Sequence, residues 1–303
     1  MTTSTDRMST PGASRYSWGG DEHLVVQMDE AMSLEANFSV MAVTSALRRR
    51  RLDGVIDICP ANASFLIRFD PDVIAPADLE SEVRDAEREV ELAPSLTLET
   101  RVVEVPVWYA DPATTETGAR FRDRHQRPEG TDLEFAAAEN GLSSVQEFID
   151  RHSGAPWITS MVGFVAGLPF LFQMVPPERQ LEVPKYLRPR TDTPPLTVGH
   201  GGCFACIYSV RGAGGYQMFG VTPGPIFDLA QALPDFADFM VFFRPGVIVK
   251  FRPIDEGEYH RIRDEVSAGR FRFRQRPFLF SLDEFHTDPD AYNRTVLEVL
   301  DGD

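Results

Sequence analysis

The residue types best suited to chemistry lie close together between Lys185 and Gln217, in the stretch KYLRPRTDTPPLTVGHGGCFACIYSVRGAGGYQ. A basic and aromatic cluster opens it: Lys185, Tyr186, Arg188 and Arg190. Two glycine groups follow, Gly199, Gly201 and Gly202, then Gly212, Gly214 and Gly215, with Tyr208 between them and Tyr216 and Gln217 at the end. Glycine lets backbone N–H groups come close to an oxyanion. Arginine offers a planar fork to a carboxylate or carboxylated ligand. Together these residues suit a site that holds a small planar substrate and stabilises a developing oxyanion. Glycines that merely turn a β-barrel give the same pattern, and the residues alone leave both readings open.

On the first reading Arg190 is the principal catalytic candidate, because a fixed arginine beside glycine-lined donors holds a carboxylate by two parallel hydrogen bonds. His200 is the second, as a substrate contact first and as a general base if its pKa stays near neutral. Lys185, Tyr186, Gly201, Gly202, Tyr208, Gly215, Tyr216 and Gln217 are the substrate-binding candidates. His200, Cys203 and Cys206 also form H-x-x-C-x-x-C, a spacing known from zinc sites. No second pair lies nearby, and in a strand Cys203 and Cys206 point to opposite faces. The expectation is therefore no metal, with the cysteines as small buried hydrophobes. His200 is too near Cys203 in sequence to make a persuasive nucleophile–base pair. G-x-S-x-G, Walker and dinucleotide fingerprints are missing from the sequence.

The elements that must position this stretch are legible from periodicity. Leu24–Met28 reads as a strand, and a helix follows over Leu34–Arg50, with Ser33 as its cap and Val40, Met41, Val43, Ala46 and Leu47 at helical spacing. Val55–Cys59 and Ser64–Phe69 read as strands around a Pro60–Asn62 turn. Pro76 starts a helix to about Glu89, acidic at its start as the dipole favours, and Thr100–Val107 is the last strand. The order βαββαβ is that of a ferredoxin-like sandwich. Residues 111–131 are polar and read as a linker or insertion; helices follow over Asp132–Asn140 and Ser144–His152. From Ile158 on, short apolar runs and frequent Gly and Pro suggest a closed or half-closed β-barrel, with a helix over Glu256–Ala268. Arg270–Arg276 alternates Arg and Phe, which puts four arginines on one strand face. That ladder either meets an acidic partner or guards an edge strand against pairing. Arg48–Arg51 ends a helix, where cations suit the dipole.

Composition bounds the rest. The 303 residues suit two domains. A net charge of −16 disfavours nucleic acid and anionic membrane as partners. Three cysteines suggest a reducing, cytoplasmic setting rather than a disulfide framework. Residues 1–14 read as a disordered leader without the apolar run of a signal peptide, and no window approaches the roughly 18 apolar residues of a membrane helix.

These residues and their neighbours resemble the allophanate hydrolase subunit 1 family, which includes the B subunit of 5-oxoprolinase and the kinase inhibitor KipI. The resemblance covers about residues 18–285. It rests on GDEHLVVQM (20–28), LEAN (34–37), GVIDICPANASFLIRFDP (54–71) and VEVPVWY (103–109) in the first half. In the second it rests on NGL (140–142), GFVAGLPFL (163–171) and GGYQMFGVTPGPIFD (214–228). Within the family the likeness points to the carboxyltransferase region of urea carboxylase, through KY-x-x-PRT-x-TP (185–194), VG-x-GG (198–202), CIY (206–208), G-x-GGYQ (212–217), VIVKFRPI (247–254) and the tail AGRFRFRQRPFLFSLDEF (268–285). The chain departs from the family pattern in having His200 in place of the isoleucine of VGIGG and Val221 where an arginine is common. It also has Ala166–Gly167–Leu168–Pro169 where many members have P-G-F-P.

The resemblance implies an α+β chain: a ferredoxin-like domain (15–100), a strand, insertion and helical connector (101–155), a cyclophilin-like β-barrel domain (156–285) and a C-terminal tail (286–303). It implies a subunit 2 type partner, a shared active site, and a heteromeric carboxyltransferase or amide-processing enzyme acting on a ureido or lactam compound. This chain binds no cofactor on that view. Any biotin is presented by a separate carrier domain, since no biotinyl-lysine motif occurs here. The alternative from another class is a KipI-like binding protein that inhibits a histidine kinase.

Overall fold

The computed structural model describes residues 14–93 and 95–302. The leader expected over residues 1–14 therefore lies outside the described residues, apart from Ser14. The chain divides into two compact units, Met1–Leu96 and Thr97–Asp303. Among the described residues no helix is long and apolar enough to cross a membrane.

The first unit contains β1 (Arg15–Gly19), β2 (His23–Gln27), α1 (Leu34–Arg50), β3 (Val55–Pro60), β4 (Ser64–Phe69) and α2 (Pro76–Glu91). Its sheet has the order β1-β2-β4-β3, antiparallel throughout. One sheet face buries Leu24, Val26, Phe65, Ile67 and Phe69 against Val40, Val43 and Leu47 of α1 and Leu79 and Val83 of α2. Ser33 caps α1 by accepting from the Ala36 N–H at 3.1 Å. The arginines at the end of α1 bind within this unit: Arg48 donates to the Ile58 carbonyl, and Arg49 and Arg50 pair with Glu82 and Glu89 of α2.

The strand expected at Thr100–Val107 does not complete this sheet. It is the middle of β5 (Thr97–Tyr109), which belongs to the second unit, and the edge beside β2 is taken by β1 instead. The physical reason is that Val102, Val103, Val105 and Val107 are all fully buried. A run buried on both faces suits the interior of a covered wall, not the edge of a sheet with one solvated face.

After β5 come α3 (Pro112–Arg120), a 3₁₀ turn at Arg122–Arg124, α4 (Asp132–Glu139), α5 (Val145–Gly154), β6 (Trp157–Val162) and β7 (Pro169–Gln173). Next are β8 (Arg190–Thr193), β9 (Thr197–Gly201), β10 (Phe204–Ile207), β11 (Gly212–Gly214), β12 (Gln217–Val221) and β13 (Ile248–Pro253). Last are α6 (Glu256–Ser267), β14 (Gln275–Ser281), α7 (Leu282–Thr287) and α8 (Pro289–Glu298). Seven strands close a ring in the order β12-β9-β10-β7-β6-β13-β5, and Gly220 and Val221 of β12 return to Tyr109 and Trp108 of β5. β13 runs parallel to β5 with Ile248 beside Val102, and β14 pairs with the first half of β5. β8 and β11 form a separate two-stranded ribbon. The ring encloses Val105, Val107, Trp157, Leu171, Val198, Ala205, Ile207, Phe219, Val249 and Phe251.

Two further expectations change in detail. Residues 111–131 are not a plain linker: Asp111 caps α3, accepting from the Ala113 and Thr114 N–H groups at 3.0 and 3.1 Å, with Pro112 in the first turn. The alternation at 270–276 holds as burial, with Phe271 and Phe273 buried and Arg272 and Arg274 exposed, but the paired strand begins only at Gln275. Residues 286–303 carry α8, whose Tyr292 packs on Phe280 and whose Asn293 donates to the Met174 carbonyl.

Candidate functional site

The structure gathers most of the candidate residues on one side of the β9–β10 wall. Tyr208, Tyr216, Cys206 and Leu168 form a buried cluster there, flanked by Val165, Phe170 and Phe204. Lys185, exposed, holds its Nζ 5.1 Å from the centre of the Tyr216 ring. Lys185 and Lys250 are the only two lysines in the sequence. Tyr186 is buried, and its backbone N–H donates to the Gly215 carbonyl at 2.8 Å.

Arg190 sits beneath this layer with no exposed surface. Its Nη1 donates to the Tyr216 carbonyl at 2.7 Å, Nε and Nη2 point to Thr193 Oγ1 at 3.3 Å, and the guanidinium carbon stands 4.5 Å from the centre of the Tyr186 ring. Among the described residues no carboxylate lies within ion-pair distance of it. The expectation that its fork stands open to a ligand carboxylate is therefore corrected: the fork is turned inward and its donors are already engaged. Arg190 thereby holds the Tyr216 backbone, and its charge lowers the pKa values of Tyr186, Tyr208 and Cys206 against the raising effect of burial.

Two of the glycines are explained by ring packing. A Cβ at Gly201 would strike the Tyr216 ring, and one at Gly214 would strike Tyr208. Gly202 adopts φ +64° and exchanges backbone hydrogen bonds with Val183, at 2.7 and 3.0 Å. At Gly201 and Gly214 the structure displays close packing under tyrosines, a reason beside the two readings left open by the residues.

His200 does not join the cluster. Strand alternation sends it through the wall to the opposite face, where its ring lies among Trp157, Phe219 and His152. Nε2 stands 3.1 Å from the Leu181 and Gly202 carbonyls and so carries the proton, while Nδ1 has no protein partner. Burial pushes its pKa down to about 4. A fully buried imidazole in this setting neither contacts a solvent-borne substrate nor serves as a base for one, which corrects both roles expected for it. Among the described residues no three His, Cys, Asp or Glu side chains converge as metal ligands would. Burial raises the thiols of Cys203 and Cys206, so neither is a ready thiolate.

A second network was not foreseen. Asp132, at the start of α4 and buried, accepts from Arg122 Nη2 at 3.0 Å, from the Tyr186 hydroxyl at 2.8 Å and from the Met218 N–H at 2.8 Å. His125 lies edge-on to Tyr186, with ring centres 4.7 Å apart. The Arg127 N–H donates to its Nδ1 at 2.8 Å, so the proton sits on Nε2 and is donated to Gln217 Oε1 at 2.8 Å; Gln217 Nε2 in turn donates to the Pro184 carbonyl. Burial lowers the His125 pKa, against the pull of Asp132. Burial and then Asp132 raise that of Tyr186. Three residues from the stretch read as linker and helix start thus position two predicted site residues, Tyr186 and Gln217. The legible signals were Asp111–Pro112, a cap followed by a first-turn proline, and Thr131-x-x-Glu134, which forms a capping box.

A model of the carboxyltransferase domain, subdomains C and D, matches residues 14–237. The chain is 30% identical over 255 residues to the B subunit of 5-oxoprolinase from Bacillus subtilis, covering 81% of this chain and 95% of that one. It is 23% identical over 274 residues to urea amidolyase of Saccharomyces cerevisiae, covering 89% of this chain but 15% of that protein. Among solved structures, the K. lactis urea amidolyase superposes with a TM-score of 0.80 at 22% identity, over 95% of this chain and 18% of that one. By these matches the chain belongs to the carboxyltransferase subdomain C and D family, together with the B subunit of 5-oxoprolinase and the corresponding region of urea amidolyase.

Proposed function

We propose that this chain is one subunit of a heteromeric enzyme that transfers a carboxyl group to, or opens the amide of, a ureido or lactam compound, with its active site completed by a subunit 2 type partner. The observation that carries the proposal is an imbalance in the candidate site. The cluster offers groups that bind: the exposed Lys185 amine, held over the Tyr216 ring, and the positive potential of Arg190 beneath it. It offers no accessible base, because His125 and His200 are both buried and committed to protein partners.

A site of this kind orients an anionic or carbonyl-bearing substrate and needs its proton-transfer group from elsewhere. Family membership supports the same division of labour, since one relative is by name a single subunit and another spans this region within a much longer chain. The closed ring supports reading the second unit as the cyclophilin-like barrel that the family resemblance implies. Any biotin stands on a separate carrier; Lys185 and Lys250 lie within folded parts of this chain. The test is co-expression with a subunit 2 type protein, followed by turnover assays on urea, allophanate and 5-oxoproline. Substrate turnover that needs both chains and falls on Lys185→Met supports the reading; turnover that ignores Lys185 removes the cluster from it.

A further inference from the structure

A groove of about 800 Å³ lies in the second unit and shares no residue with the cluster around Arg190. Its volume is within the roughly 300–1,000 Å³ usual for small-molecule sites. One side is the β5–β14 ribbon, where Arg101 stands opposite Pro277 and Glu99 opposite Leu279, all four lining the groove. The other side is the segment before β13, with Phe239, Phe242 and Arg244.

Two features of the groove call for a ligand. First, Arg101 is held in place by donating from Nη2 to the Phe242 carbonyl at 2.8 Å and by lying 4.7 Å from the centre of the Phe242 ring. Arg244 lines the same groove, and among the described residues neither guanidinium has a carboxylate within ion-pair distance. The acids of the groove offset them only in part: Asp235 favours the charged form of Arg101 from beyond ion-pair distance. Asp235 is engaged by the Phe273 N–H at 2.7 Å and by Gln275 Nε2, and Glu99 and Asp238 are exposed at the rim. Burial, and then Arg244, lower the pKa of Arg101 against the opposing pull of Asp235, as expected of a half-buried cation beside a like charge. Second, Phe239 and Leu279 leave 49% and 60% of their surface exposed in the same groove, so apolar area stands unpaired beside arginines with no carboxylate in direct contact.

We infer that this groove binds a small organic carboxylate with an apolar body: the carboxylate sits between Arg101 and Arg244, and the body lies against Phe239, Phe242 and Leu279. A carboxylate there relieves the repulsion between the two arginines and accepts the free edges of their planar forks. Binding in this groove requires neither a partner nor turnover, so it stands apart from the proposed function.

The test is calorimetric titration of the full chain with phenylacetate and with its neutral isostere phenylacetamide. Phenylacetate should bind at least tenfold more tightly than the amide. Arg244→Met, at an exposed position, should keep the native circular dichroism spectrum and weaken phenylacetate at least tenfold, and Arg101→Met should weaken it as much. Arg188→Met, beside the Lys185 cluster, should leave phenylacetate binding unchanged. Equal binding of acid and amide, no binding of phenylacetate at about 10 mM, native-like binding by Arg244→Met, or weakening by Arg188→Met would each overturn the inference.

Discussion

Replacing His200 by isoleucine, the residue of the family pattern VGIGG, should stabilise the protein in acid and barely change it near neutrality. The imidazole is fully buried and its folded pKa is pushed down to about 4, whereas an unfolded histidine titrates near 6.5. Between those values the unfolded chain takes up a proton that the folded chain refuses. Stability contributed by the neutral ring is therefore complete above about pH 6.5 and is lost as pH falls towards 4. At about pH 5 the loss integrates to about 2 kcal/mol, and it levels off at about 3 kcal/mol below pH 4. Isoleucine has no such loss. Near pH 7.5 it forfeits the Nε2–H bond to the Leu181 and Gly202 carbonyls, worth about 1 kcal/mol, but also removes the partnerless Nδ1. The neutral-pH change should therefore stay within about 1 kcal/mol. It also relieves the effect on His152, whose ring centre lies 6.3 Å away and whose pKa His200 helps to lower. Urea denaturation of both proteins at about pH 7.5, 6 and 5, with unchanged m values, measures the difference directly. Parallel stability curves for the two proteins would refute the reasoning.

Four other outcomes follow from the same geometry. Asp132→Ala strands the Arg122 charge, the Tyr186 hydroxyl and the Met218 N–H in a buried setting and should cost about 3–5 kcal/mol in denaturant unfolding; a loss below about 1 kcal/mol contradicts the network. Arg190→Lys breaks the fork that holds Tyr216 and Thr193 and should cost about 1–3 kcal/mol of stability, so an unchanged melting temperature would restore the open-fork role. Gly201→Ala must displace the Tyr216 ring, with about 1–3 kcal/mol lost and altered near-ultraviolet dichroism from tyrosine. Lys185→Met changes an exposed side chain, so the melting temperature should hold while turnover of the paired enzyme falls at least tenfold, about 1.4 kcal/mol.

What the sequence conveyed divides along physical lines. Helices α1, α2, α4, α5 and α6 were legible to within two residues, as α1 at Leu34–Arg50 shows, because periodicity and caps are local, whereas α3 and α8 lay in segments read as linker and tail. The stretch that gathers at the tyrosine cluster was legible from residue type, since Lys185, Tyr186, Tyr208, Tyr216 and Gln217 fall within a few turns of chain. Sheet membership was not legible. Whether β5 closes the first sheet or serves the ring depends on partners such as β13, more than a hundred residues away. Which face His200 occupies was decided by the same kind of contact, with Trp157 and Phe219. Asp132, Arg122 and His125 were hidden because a polar segment reads as linker until the packing of α3 and α4 brings it onto Tyr186 and Gln217.

The central claim, that this chain supplies the binding half of a shared site, is tested most directly by one reconstitution. Turnover of urea, allophanate and 5-oxoproline, each with ATP and bicarbonate and, in a parallel arm, a biotin carrier with its carboxylase, is measured for this chain alone, for a subunit 2 type partner alone and for the two mixed in equal amounts. The account predicts a background rate from each chain alone and turnover of at least one substrate only from the mixture. Robust turnover by the isolated chain would contradict it.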